Sequence, residues 1–112
     1  MTNSLSWADF EKVDMRVGTI VEANHFPEAR NPSYQLKIDF GGEIGLKKSS
    51  AQITSLYKKE ELIGKQVIAV LNFPPKQIAN FKSECLVLGA VEGKDVTLLE
   101  PGKLVQNGLR IL

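Results

Sequence analysis

At 112 residues the chain is the size of one domain, and a hydrophobic share of 43% is ordinary for a soluble fold with a core. No apolar run approaches the ~20 residues that cross a bilayer, and a single cysteine, Cys85, excludes an internal disulfide and fits a reducing cytoplasm. With 14 Lys and Arg against 13 Asp and Glu the net charge is +1, so any nucleic-acid role must come from local clustering rather than overall charge.

No repeat, low-complexity tract or linker divides the chain, and residues 1–112 read as a single domain. Residues 1–10 lack a basic region followed by an apolar stretch, so no secretory signal is expected. Ser6-Trp7-Ala8-Asp9 resembles a capping box, with Ser6 placed to accept from a backbone N–H, and predicts a short helix to about Lys12. From 13 to 21 the apolar residues Val13, Met15, Val17 and Val21 alternate with polar ones at strand period, and Gly18 within the run suggests a bulge or sharp coil. Pro27, Asn31 and Pro32 make 26–33 a loop. The stretch 34–40 alternates without a fault and is the clearest strand in the chain. Gly41-Gly42 then reads as a hairpin turn into a shorter strand over 43–49, with Ile44 and Leu46 inward.

A short helix is expected over 50–57 and a further turn over 59–63, ended by Gly64. The apolar run 66–71 reads as a buried strand. Residues 72–83 break the pattern, because Pro74-Pro75 cannot donate to a ladder and must end the preceding strand. That leaves Phe73 and Phe81 as exposed aromatics, or else as plugs for the end of a barrel. Strands over 84–91 and 96–99 follow, turning at Gly93, and the apolar tail at 101–112 should pack on the body rather than extend into water. About five strands with a helical insertion after the third predict an all-β fold, a five-stranded OB-type barrel with short helices and extensions at both ends.

Catalytic chemistry has little to build on. Histidine and cysteine occur once each: His25 lacks companions for a metal, and Cys85 sits in a strand-like run as a core filler. Glu60-Glu61 belongs to a solvated turn, and Gly41-Gly42 with Gly45 lacks the lysine and hydroxyl of a phosphate loop. No enzyme activity, metal or cofactor is expected. The lysines at 47–48 and 58–59, with Lys76 and Lys82, form either a partial basic face or a solvated surface.

Asp14-Met15-Arg16-Val17-Gly18-Thr19-Ile20 resembles the opening motif of the tRNA-binding OB domains, found as appendages of methionyl- and phenylalanyl-tRNA synthetases, in EMAP II-like proteins and as free-standing chains. The likeness continues through 34–39, 57–64 and 67–76, and Ser83 precedes the next strand as in the family. Within the family, 26–30, 43–54 and 72–75 are similar to the CsaA-type secretion chaperones. Many tRNA-binding members carry a glycine just before the Ser83 position and a Gly-Met pair after it; Phe81-Lys82 and Glu84-Cys85 depart from that and favour the chaperone branch. The resemblance implies a cytoplasmic homodimer that binds unfolded polypeptides and preproteins for protein secretion and associates with the SecA translocation ATPase.

On this reading Phe73, Pro74, Pro75, Ile78 and Phe81 form a polypeptide-binding patch. Arg30, Lys47, Lys76, Lys82 and Ser83 form its rim, or a tRNA- or RNA-binding surface in which aromatics stack bases and lysines meet phosphates. Trp7, Phe10, Leu109 and Ile111 are the expected dimer interface. A third reading is a plain dimerisation or scaffold module.

Overall fold

The computed structural model describes residues 3–112. The Ser6 hydroxyl accepts from the Asp9 N–H at 3.0 Å and starts α1 (Trp7–Glu11), as its position predicts. β1 (Met15–His25) begins later and runs further than the alternation suggests. Val21 stays at the surface, because the pairing register shifts between Ile20 and Glu22, and Val13 lies exposed before the strand begins. This bulge lets both Ile20 and Ala23 face the core. The bulge falls just after Gly18 rather than at it, and Gly18 itself marks a close approach: a Cβ there would stand 2.6 Å from Ile38 Cγ2 and 2.7 Å from the Phe40 ring.

β2 (Tyr34–Asp39) buries Tyr34, Leu36 and Ile38 in strict alternation, and Phe40 continues the pattern. The turn beyond it is longer than Gly41-Gly42. The Gly45 N–H donates to the Gly41 carbonyl at 2.7 Å, and the Phe40 N–H to the Gly45 carbonyl at 3.0 Å. That length delays β3 (Leu46–Ala51) and inverts its phase: Ser49 and Ala51 point inward, while Leu46 is 57% exposed. Ile44 packs on the core from the turn. Residues 50–57 form no helix; they finish β3 and turn into α2 (Lys59–Leu62), which Gly64 ends at φ +87°. β4 (Gln66–Val70) is buried at every position.

The segment expected to be irregular contains a small hairpin, β5 (Lys76–Ile78) and β6 (Phe81–Ser83), turning through Ala79 at φ +50°. The strand expected at 84–91 divides into β7 (Leu86–Val87) and β8 (Gly89–Glu92), and β9 (Asp95–Leu98) pairs with β8 across the Gly93 turn.

The main sheet is antiparallel in the order β3-β2-β1-β4-β7. Its edges meet where the chain enters β7: the Glu84 N–H donates to the Lys48 carbonyl at 2.7 Å and the Ser49 hydroxyl to the Cys85 carbonyl at 2.9 Å. The result is an all-β, nearly closed five-stranded barrel of OB type around Ile20, Leu36, Ile38, Phe40, Leu62 and Val67. The tail does pack on the body. It lies along β1, with the Val17 N–H donating to the Leu109 carbonyl at 3.0 Å and the Ile111 N–H to the Met15 carbonyl at 2.9 Å.

Candidate functional site

Where β4 ends, Asn72 anchors the chain to the β1 approach: its Oδ1 accepts from the Asp14 N–H at 3.0 Å and its Nδ2 donates to the Lys12 carbonyl at 2.6 Å. Pro74 and Pro75 then carry the backbone away from the barrel, and the hairpin brings it back. Across the hairpin Lys76 pairs with Ser83, Gln77 with Lys82, and Ile78 with Phe81. Side chains alternate in a strand, so Lys76, Ile78, Phe81 and Ser83 share one face, and Gln77 and Lys82 take the other.

Between the first of these faces and the end of β3 lies a groove of about 390 Å³, at the small end of ligand-sized clefts. Phe73, Pro74, Ile78 and Leu86 supply its apolar walls, and Lys76, Ser50, Gln52 and the 83–85 segment its polar ones. Phe73 remains 56% exposed. Lys76 makes no ion pair among the described residues.

Of the residues expected in the patch, the groove unites Phe73, Pro74 and Ile78, with Lys76 and Ser83 at its edge. Pro75 is exposed beside it without lining it. Of the two expectations for Phe81, an exposed patch residue or a buried aromatic, the structure shows the buried one. It is 9% exposed, its ring centroid lies 5.4 Å from that of Phe26, and the Lys48 ammonium sits 5.2 Å from its centre. Its place is under the hairpin, as a brace. Lys82 faces away, and Lys47 and Arg30 do not line the groove. The Ser83 hydroxyl is already engaged, accepting from the Ser50 N–H at 3.0 Å.

Ser50, Gln52, Glu84, Cys85 and Leu86 are wall residues that the sequence reading missed. Leu86 looked like one member of a continuous strand, and only the break after Val87 and the bend at Cys85 turn it outward. Glu84 is partly committed, since its Oε1 accepts from the Lys48 N–H at 2.9 Å. Burial pushes the Cys85 thiol up to about 12, with the neighbouring Glu84 charge adding to the rise, so it stays protonated at neutral pH.

The two chain ends meet elsewhere on the surface. Arg110 Nη2 donates to the Glu11 carbonyl at 2.6 Å and ties the tail to α1. Trp7 is 82% exposed and meets Phe10 edge-on at 6.4 Å, while Leu109 is exposed and Ile111 half-buried. Among the described residues no cluster of His, Cys, Asp and Glu could hold a metal, and no helix is long and apolar enough to cross a membrane.

Residues 15–110 match the family model described as a putative tRNA binding domain, and the chain belongs to that family. The methionine–tRNA ligase of Nanoarchaeum equitans is 39% identical over 96% of this chain, and that of Francisella tularensis subsp. tularensis 42% identical over 92%. The chain spans only 13% and 15% of those ligases. Its structural likeness narrows the resemblance to CsaA. The crystal structure of chaperone CsaA from Bacillus anthracis is 52% identical, with a TM-score of 0.93, over 98% of this chain and 100% of that one. The CsaA chaperone protein from Picrophilus torridus is 57% identical, with a TM-score of 0.92, over 97% and 100%.

Proposed function

We propose that this protein is a non-catalytic, cytoplasmic chaperone that binds unfolded polypeptides and preproteins and assists protein export. The groove carries the reading: Phe73, Pro74, Ile78 and Leu86 offer apolar contact, and Lys76 offers a charge beside it. The end-to-end likeness to two CsaA chaperones supports it. The protein acts as a homodimer joined through Trp7 and Phe10 of α1 and Leu109 and Ile111 of the tail, two segments that the Arg110 contact to Glu11 ties together. Delivery of the bound preprotein to the SecA translocation ATPase is part of the same proposal.

A second reading, binding of tRNA or single-stranded nucleic acid, is favoured by the family description and the ligase relatives. Phe73 would stack a base and Lys76 would meet a phosphate. Labelled unfolded polypeptide and labelled tRNA, titrated with one purified sample over a salt series, separate the two. The chaperone reading expects strong polypeptide binding and weak, salt-sensitive tRNA binding; the reverse order refutes it.

A further inference from the structure

We propose that the groove takes its polypeptide as an added β-strand, hydrogen-bonded to the outer edge of β3 at Ser50 and to Gln52 just past its end; this rests on the polypeptide-binding reading above. In an antiparallel strand the N–H and C=O of one residue point to the same side. The Lys48 N–H and carbonyl are turned away from β2 to Glu84, and the Ser50 N–H is turned the same way to Ser83 Oγ. The Ser50 carbonyl therefore also points outward, and among the described residues no donor reaches it. The Gln52 N–H likewise has no partner among them. The barrel is sealed along this edge as far as Ser50 and opens immediately beyond it, where Ser50 and Gln52 line the groove.

An unpaired carbonyl followed two residues later by an unpaired N–H is the template for one more strand. The two groups hold the client backbone over about 7 Å, since a strand rises ~3.3 Å per residue. Alternate client side chains then fall toward Phe73, Ile78 and Leu86. Lys76, the wall cation without an ion pair among the described residues, favours a segment carrying one carboxylate. The occupant is thus an extended, apolar-alternating and mildly acidic stretch of unfolded chain. Most of its recognition goes to backbone that every client shares, which gives breadth without a consensus sequence. A folded protein has no such strand to offer.

The probe is a seven-residue peptide alternating valine with threonine and carrying one glutamate, with two N-methylated forms. One form is methylated on the odd residues and the other on the even. A strand turns only one of these N–H sets to its partner, so one methylated form should bind at least tenfold more weakly than the other. Equal affinity of the two forms overturns strand addition while leaving polypeptide binding in place. Failure of the unmodified peptide to bind overturns both. Displacement of the peptide by tRNA, together with equal affinity of the methylated forms, assigns the groove to nucleic acid and also overturns the proposal. Gln52→Pro removes the donor from the protein side; with the fold retained, the unmodified peptide should lose at least tenfold in affinity, and unchanged affinity contradicts the assignment.

Discussion

Replacing Phe73 and Phe81 with alanine, one at a time, separates the groove from the brace beneath it. Phe73 keeps 56% of its surface exposed. Full burial of such a side chain stabilises by ~1.5–3 kcal/mol, so the hidden part of Phe73 contributes about 1 kcal/mol. Phe81 is 9% exposed and packs on Phe26 and beneath Lys48. Its truncation leaves a cavity under the hairpin and should cost ~3–5 kcal/mol. In a domain of this size each kcal/mol moves Tm by roughly 4 °C. Phe73→Ala should therefore melt about 4 °C below the parent, and Phe81→Ala at least about 12 °C below it. Scanning calorimetry gives both values, and suppression of aggregation of a chemically unfolded client gives activity at a temperature where each variant is folded. Phe73→Ala should lose most of its suppression with its fold intact. Phe81→Ala should lose activity only in step with its stability. Full suppression by Phe73→Ala, or equal melting of the two variants, would refute the assignment.

Other substitutions test other parts of the account. Gly18→Ala drives a methyl group into Ile38 and Phe40 and should destabilise the barrel by ~1–3 kcal/mol in urea unfolding. Gln66 Nε2 donates to the Val105 carbonyl at 2.7 Å, and Gln66 Oε1 accepts from the Val105 N–H at 3.1 Å. Gln66→Ala should cost ~1–3 kcal/mol and speed amide exchange across residues 105–111. Trp7 is almost free of intrachain packing, so Trp7→Glu should leave the fold unchanged and halve the mass seen by light scattering at micromolar concentration. The Cys85 thiol ionises near 12 when folded and near 9.0 when not. Its contribution is fully present below pH 9 and falls by ~1.4 kcal/mol per pH unit up to pH 12. The parent should accordingly lose more urea stability between pH 7 and pH 10.5 than Cys85→Ala does, and iodoacetamide should label Cys85 at neutral pH only after unfolding.

The parts of the fold that local chemistry dictates were legible in advance. The alternation at 34–40 can be satisfied only by a half-buried strand, the Ser6 cap starts a helix, and Pro74-Pro75 keeps the chain from rejoining the sheet after β4. What escaped depends on phase and on distant partners. The orientation of Leu46 follows from the length of the Gly41 to Gly45 turn, which inverts every side chain of β3. Phe81 is buried because Phe26, far away in the chain, lies beneath the hairpin, and nothing in its neighbouring residues signals that. Phe73, Pro74 and Ile78 were readable as candidates because the prolines mark the chain's exit from the barrel. The facing wall of Ser50, Gln52 and Leu86 arises only when the two sheet edges meet.

Amide chemical-shift mapping shows whether unfolded polypeptide occupies the groove beside β3. On titration with an unfolded client peptide, shifts should concentrate at Ser50, Gln52, Phe73, Lys76, Ile78 and Leu86, with α1 and the tail unmoved. Shifts confined to α1 and the tail, or none at a concentration that suppresses aggregation, would contradict that occupancy.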